Sequence, residues 1–225
     1  MKKKDLKKLS ANEALKYIKE NMIIGLGGGR SISYLIEYIR EENINVKIVT
    51  PSMKTKAICL EKGLEVLHTE FVDKIDVAFD GCDQVDKSLN ALKSNGGIHT
   101  KEKIIASMAE EYILLVDEEK FVDKLTFEIP VVLEVVCDSL KLVENKIRAL
   151  NGEPKVRCSE NKDGFTVTDN GNILIDVLFK EVDDIRELNK KIISICGVIE
   201  TSLFTNEVTK VLVASENEIK IIEKS

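Results

Sequence analysis

Two hydrophobic periodicities alternate along the first half of this chain, and their order limits the folds open to it. Short, mostly apolar runs, none with more than one charged residue, occupy residues 22–24, 46–49, 64–67, 75–79 and 113–116. Between them lie stretches whose apolar residues recur at helical spacing: Ile32, Leu35, Ile36 and Ile39, then Met53, Ala57 and Leu60, then Ile104, Ile105, Met108 and Tyr112. A mostly apolar run fits a strand buried on both faces, and a one-faced helix after it can cover such a strand. Strands alternating with helices predict a parallel sheet with helices on both sides. A further helix through Ala14, Leu15 and Ile18 opens the chain, with Ser10-Ala11-Asn12-Glu13 as its capping box. Gly63 closes the helix begun at Met53.

The pattern changes after Glu128. Residues 129–135 are β-rich, and Leu140, Val143, Ile147 and Leu150 mark a helix closed by Asn151-Gly152. Short strands follow at 155–158 and 165–168, then a turn at Asp169-Asn170-Gly171-Asn172 and a strand at 173–177. A helix through Ile185, Leu188 and Ile192, ended by Gly197, leads to a strand at 198–204. The order β-α-β-β-α-β is that of a ferredoxin-like unit. The last strands, 211–214 and 219–222, are expected to return to the first sheet. The predicted fold is therefore α/β: a Rossmann-like parallel-sheet domain from residues 1–128 plus 205–225, with a second, smaller ferredoxin-like α+β domain from 129–204. A chain of 225 residues can bury both cores without disulfides.

Composition narrows the class. The net charge of −6 weighs against a nucleic-acid surface. No apolar run approaches the ~20 residues of a membrane span. The basic Met1-Lys2-Lys3-Lys4 run is not followed by an apolar stretch of leader length, so the expected compartment is the cytoplasm. The five cysteines are odd in number and form no CxxC pair, and His68 and His99 make no metal cluster, so neither a disulfide framework nor a metal site is expected.

Gly25-Leu26-Gly27-Gly28-Gly29-Arg30-Ser31 lies between a strand and a helix, the arrangement that cradles phosphate on backbone N–H groups and a helix N-terminus. It is not a Walker loop, because Arg30-Ser31 replaces Lys-Ser/Thr after Gly29. It is not a dinucleotide loop either: Arg30 occupies the third glycine position, and the strand ending near Thr50 carries no acid for a ribose hydroxyl. No nicotinamide cofactor is expected. Gly28, Gly29, Arg30 and Ser31 are candidate anion ligands, since guanidinium and hydroxyl both donate to phosphate oxygens.

Asp80-Gly81-Cys82-Asp83, Lys93-Ser94-Asn95-Gly96-Gly97 and Glu102-Lys103 fall within 24 residues. Asp80 leaves a strand at its C-terminal end, where open α/β sheets bind ligands. Lys93 precedes a glycine turn that can expose N–H groups, and Glu102 begins a helix. Any one of these acids alone reads as a cap or a dipole partner. Together they supply a general base, a second proton carrier and an oxyanion stabiliser, the parts that move a proton between adjacent carbons. Cys82 reads as a small residue rather than a nucleophile, because no histidine stands near it in sequence.

At these residues the chain resembles the type A ribose-5-phosphate isomerase family over essentially its whole length. The family's Asp-Gly-Ala-Asp-Glu appears as Asp80-Gly81-Cys82-Asp83-Gln84, its Lys-Gly-Gly-Gly as Lys93-Ser94-Asn95-Gly96, and its Arg-Glu-Lys as Lys101-Glu102-Lys103. Asp117-Glu118-Glu119-Lys120 is similar to Asp-Glu-Ser-Lys, residues 130–135 to Pro-Val-Glu-Val, and Thr168-Asp169-Asn170-Gly171-Asn172 to Thr-Asp-Asn-Gly-Asn. The resemblance implies interconversion of ribose 5-phosphate and ribulose 5-phosphate through an enediolate, without metal or cofactor, in a homodimer or homotetramer. It implies Glu102 as base, Asp80 as aid to ring opening with Asp83 nearby, and Lys93 with the N–H groups around Gly96 at the oxyanion. Lys120, Lys7 and residues 28–31 would hold the phosphate, with Gly81, Cys82, Ser94 and Asn95 completing the pocket. Departures fall at the phosphate loop, where Gly27-Gly28-Gly29-Arg30-Ser31 replaces Gly-Thr-Gly-Ser-Thr, and at Ser94 and Asn95, whose side chains are expected to narrow the site. Two other readings remain open: a sugar-phosphate-sensing regulatory module, and another enzyme on the same fold, such as an isomerase of a different sugar phosphate or an acyl-transfer enzyme using Glu102 as nucleophile. The first would need a DNA-binding segment that an acidic chain of this length does not provide.

Overall fold

The structure is a computed structural model that describes residues 5–159 and 163–224. The basic run at residues 1–4 lies outside the described residues. Six α-helices are described: α1 (Leu6–Ala14), α2 (Arg30–Glu41), α3 (Met53–Glu61), α4 (His99–Met108), α5 (Leu140–Ala149) and α6 (Ile185–Ile193). The strands in chain order are β1 (Ile23–Leu26), β2 (Lys47–Val49), β3 (Glu65–Val66), β4 (Ile75–Asp80), β5 (Gln84–Asp86), β6 (Ala91–Leu92), β7 (Ala109–Asp117), β8 (Phe121–Val122), β9 (Val131–Val135), β10 (Gly152–Val156), β11 (Ile173–Phe179), β12 (Val198–Thr201), β13 (Leu203–Phe204), β14 (Lys210–Ala214) and β15 (Ile219–Glu223).

The main sheet has the order β15-β14-β7-β4-β1-β2-β3, with every pair parallel except β14–β15. The chain runs outward from β1 through β2 to β3, then crosses back to place β4 on the other side of β1. The strand order thus reverses between β1 and β4, and a crevice opens beyond their C-terminal ends. Leu26 pairs with Phe79, which leaves Gly27 and Asp80 side by side at that opening. As expected, β14 and β15 return to this sheet. The core on one face joins Ala11 and Ala14 of α1 to Ile32, Leu35, Ile36 and Ile39 of α2. The core on the other face is built on Ile105 and Ala106 of α4 with Ala78, Tyr112, Leu114 and Phe204.

A second, antiparallel sheet has the order β10-β11-β9-β12, which is the ferredoxin-like arrangement. Leu133 and Val135 face Val143 and Ile147 of α5 and Ile185 and Ile192 of α6 in a third core. The alternate residue Glu134 points away from this core and is only 1% exposed.

Several local expectations change. The cap of the first helix is Asp5, whose side chain accepts the Lys7 N–H, and Ser10 lies inside α1 with its hydroxyl on the Lys7 carbonyl. The real cap precedes the apolar periodicity by several residues. Tyr112 belongs to β7 rather than to the preceding helix, and its backbone is locked by Thr209. In α3 the buried residues are Thr55 and Cys59, whereas Met53 and Leu60 are exposed, because Thr55 donates its hydroxyl to the Gly27 carbonyl at 2.7 Å. Gly152 begins β10 instead of ending a helix; a Cβ there would lie 2.8 Å from both Ile147 and Val177. The expected strand at 165–168 is reduced to isolated bridges at Phe165 and Val167. Finally, the strand expected at 198–204 breaks at Ser202. β12 stays in the antiparallel sheet, while β13 pairs with β6 in a small sheet of order β13-β6-β5-β8. The break is held by Lys103, whose ammonium donates to the carbonyls of Thr201 and Leu203 at 2.8 Å each.

Candidate active site

A cleft of about 490 Å³ opens at the reversal point between β1 and β4. Gly28, Gly29, Arg30 and Ser31 line one side, and Asp80, Gly81, Cys82 and Asp83 form the floor. Lys93, Asn95, Gly96 and Glu102 line the opposite side, and Lys7 and Lys120 stand at the edge. Five stretches of the chain therefore converge where the main sheet changes direction.

At the centre lies a buried ionic trio. The Lys93 ammonium is 3.0 Å from Asp80 Oδ2 and 3.4 Å from Glu102 Oε1, and it donates to the Gly81 carbonyl at 2.5 Å. All three residues are at most 6% exposed. Burial pulls the Lys93 ammonium down, but Asp80 and Glu102 outweigh it, and its pKa ends above that of an ordinary lysine. Lys93 therefore remains a fixed positive charge. Burial pushes the Glu102 carboxyl up to about 8; Lys93 opposes the shift and Asp80 adds to it. Glu102 Oε2 has no hydrogen-bond partner among the described residues. A carboxylate anchored by one oxygen, with the other oxygen free and its pKa near neutrality, is matched to general-base work.

Asp80 is fixed from every side. Oδ1 accepts the N–H groups of Gly81 at 2.8 Å and Gly28 at 3.3 Å, and Oδ2 accepts the Tyr112 hydroxyl at 3.1 Å. Burial and the neighbouring carboxylates keep Tyr112 protonated as that donor. Glycine is required at position 27, since a Cβ there would fall 2.0 Å from the Asp80 carboxylate. Asp83 shapes the glycine turn: Oδ2 accepts the N–H groups of Ser94 at 2.6 Å and Asn95 at 3.0 Å, and Oδ1 accepts the Asn95 side-chain amide at 2.5 Å. Gly96 and Gly97 follow at φ +83° and +69°, the left-handed region that favours glycine.

The phosphate-type loop is the N-terminus of α2, entered through Gly29 at φ +94°. The Arg30 side chain is exposed and leans back along its helix, 3.5 Å from Asp5 and from the Tyr34 hydroxyl. Lys120 donates to the Cys82 carbonyl at 2.8 Å, and Lys7 pairs with Asp117 at 2.6 Å. Burial pushes the Cys82 thiol up to about 12, so it stays neutral.

Of the residues singled out from sequence, Ser94 alone does not line the cleft. Its side chain, expected to narrow the site, turns away and donates to the Pro130 carbonyl at 2.5 Å. Tyr112, Asp117, Ser52 and Asp169 are cleft or support residues that the sequence reading did not select. Asp169 lay within a recognised turn, and Asp117 within a recognised motif, but neither carried a signal of its own. Tyr112 was hidden by its fit to a helical period. Among the described residues no group of three or more His, Cys, Asp or Glu side chains could hold a metal ion, and no helix is long and apolar enough to cross a membrane.

A parallel α/β sheet with a glycine-entered helix start and a buried carboxylate–lysine–carboxylate trio at its crevice has the make-up of an enzyme suited to proton transfer on small anionic substrates. The family model of ribose 5-phosphate isomerase A (phosphoriboisomerase A) matches residues 47–218. The ribose-5-phosphate isomerase A of Pyrococcus abyssi (strain GE5 / Orsay) is 37% identical over 225 residues, covering 98% of each chain. That of Methanocaldococcus jannaschii is 38% identical over 229 residues, covering 100% of both. Among solved structures, a D-ribose-5-phosphate isomerase in complex with phospho-erythronic acid has a TM-score of 0.93 at 36% identity, covering 100% of both chains. Ribose 5-phosphate isomerase A from Methanocaldococcus jannaschii has a TM-score of 0.91 at 37% identity, covering 98% of this chain and 99% of that one. The chain belongs to the ribose-5-phosphate isomerase A family.

Proposed function

We propose that the protein interconverts D-ribose 5-phosphate and D-ribulose 5-phosphate through an enediolate formed in this cleft. The observation that carries the reading is the free Oε2 of Glu102, in a carboxylate whose other oxygen lies 3.4 Å from Lys93. On the open-chain aldose, Glu102 removes the proton from C2. The C–H electrons become the C1=C2 bond, and the carbonyl electrons move onto O1. Lys93 and the N–H groups of Gly96 and Gly97 would face that developing charge. Glu102 then returns its proton to C1 while O2 loses its own proton and becomes the ketone oxygen. Asp80, fixed by two N–H groups and Tyr112, takes the O2 proton and delivers it to O1, and it assists opening of the furanose. Asp83 takes up the N–H groups of Ser94 and Asn95 and so holds the turn that carries Gly96 and Gly97.

The phosphate would lie against Gly28, Gly29, Arg30 and Ser31 at the start of α2, with Lys7 and Lys120 at its edge. Both lysines already hold protein partners, so phosphate would compete with Asp117 and the Cys82 carbonyl for them. The reading extends to a cytoplasmic homodimer or homotetramer, with residues 129–204 as the unit that joins copies. The exposed apolar side chains Val136, Phe165, Val167, Leu178 and Ile199 on that unit support this, and light scattering tests it.

The central test is an assay of purified protein with ribose 5-phosphate, with and without chelator. The expected result is ribulose 5-phosphate formed at equal rates in both. No ketose in either arm removes the isomerase, and loss confined to the chelator arm removes the metal-free mechanism.

A further inference from the structure

Glu134 lies outside the cleft, yet its carboxylate accepts four side-chain hydrogen bonds. Helix capping does not explain it, because Glu134 lies within β9 and is 1% exposed. Its Oε2 accepts the hydroxyl of Thr100, and its Oε1 accepts the Thr168 hydroxyl at 2.9 Å and the side-chain amides of Asn172 at 2.8 Å and Asn170 at 3.2 Å. Burial alone would raise the carboxyl, but these donors outweigh it and hold its pKa below the ordinary value. It is therefore an anion with its donors supplied by two segments.

Those two segments both reach the cleft. Thr100 lies in the first turn of α4, two residues before Glu102. The 168–172 turn carries Asp169, which lines the cleft and pairs with Lys101, the other neighbour of Glu102, at 2.7 Å. The turn is internally closed by the Thr168 N–H on the Asn172 carbonyl and the Gly171 N–H on the Thr168 carbonyl. The antiparallel sheet thus grips the start of the catalytic helix and the turn over the cleft through one buried charge.

We propose that Glu134 is the positioning residue of the proposed base: through Thr100 it fixes the first turn of α4, and through Thr168, Asn170 and Asn172 it fixes the turn that shields Glu102 from water. The proposal rests on the isomerase reading for its kinetic consequence, but not for its structural one. Without the link, α4 begins less firmly, the Glu102 carboxyl is reached by solvent, and its pKa falls toward that of an ordinary glutamate. A misplaced base costs turnover rather than substrate affinity, because the phosphate contacts lie on the other side of the cleft.

The test uses Thr100→Val, which removes only the bond from α4 and leaves the three donors from the turn in place. Glu134→Gln serves as the conservative control, since its carbonyl can accept from the turn while its amide donates to the Thr100 hydroxyl. Both are first checked for a cooperative melt. Thr100→Val is expected to lower kcat by ~10–10²-fold with KM within a few-fold, and to move the acidic limb of the kcat/KM profile to lower pH, while Glu134→Gln keeps most of kcat. A direct reading, independent of activity, is the titration of the Glu102 carboxyl by carbon-13 NMR: near 8 in the unmodified protein and lower in Thr100→Val. A folded Thr100→Val protein with the unmodified kcat, pH profile and Glu102 titration overturns the proposal. If the unmodified protein forms no ribulose 5-phosphate, the isomerase reading fails while the NMR shift still decides the positioning role.

Discussion

Glu102 and Lys93 meet through one oxygen: Oε1 stands 3.4 Å from the ammonium, and Oε2 is buried without a hydrogen-bond partner among the described residues. The pairing keeps the base in place and leaves its working lone pairs free. An acid that bonded the lysine with both oxygens would need to break a contact before each turnover.

Replacing Glu102 with glutamine keeps the shape of the side chain and removes its basicity. Turnover should fall by at least ~10²-fold with KM little changed. Steady-state kinetics on ribose 5-phosphate decide this, and near-normal turnover would take Glu102 out of the base role.

The pH dependence follows from the raised Glu102 pKa. The base must be ionised, so kcat/KM should rise with pH through about 8, instead of levelling off above the usual carboxylate range. For folding the sign is opposite. A carboxyl raised from 4.5 to about 8 favours the folded state fully below 4.5 and loses that contribution as pH climbs through 8. Activity and this component of stability should therefore trend in opposite directions across neutral to mildly alkaline pH, as kinetics and denaturant melts at matched pH would reveal.

Lys93→Met leaves Asp80 and Glu102 buried without their cation. Breaking such a pair typically costs about 3–5 kcal/mol, and the oxyanion partner is lost as well. Chemical denaturation should register the first effect and single-turnover kinetics the second. A variant as stable as the parent would mean that water already reaches the trio.

Gly27→Ala sets a methyl group 2.0 Å from the Asp80 carboxylate. The carboxylate must move, since Gly27 is fixed to Phe79 and Thr55 through its own backbone. The expected result is a loss of about 1–3 kcal/mol together with a fall in kcat. Unchanged kcat would show that the position of Asp80 does not matter to turnover.

The cysteines separate reactivity from function. Cys137, Cys158 and Cys196 are exposed, whereas Cys59 and Cys82 are buried, with thiols pushed up to about 11 and about 12. A disulfide reagent should modify the three exposed thiols first and leave activity intact. Inactivation that keeps pace with the fastest thiol would point to an open route to Cys82.

The parallel sheet, the ferredoxin-like unit and the return of β14 and β15 were legible because each rests on periodicity over several residues. The cleft was legible for a different reason: Gly27, Asp80, Lys93 and Glu102 sit at element boundaries, where the chain has chemistry in place of packing. What escaped were features set by tertiary partners. Tyr112 satisfies a helical period, yet Thr209 and the neighbouring strands draw it into β7. Thr55 displaces Met53 as the inward residue of α3 because the Gly27 carbonyl needs a donor. Ser94 turned away from the cleft because the Pro130 carbonyl lies behind it. Sequence spacing carries no record of such long-range acceptors.

The place of β14 has a consequence for synthesis on the ribosome. It pairs with β7 in the interior of the main sheet, yet it is made after the whole antiparallel unit. Until residues 210–214 emerge, β7 is an open edge with unpaired backbone groups, adjacent to the strand that carries Asp80. The antiparallel unit can fold during that interval, but the main sheet is completed only after that unit has been made.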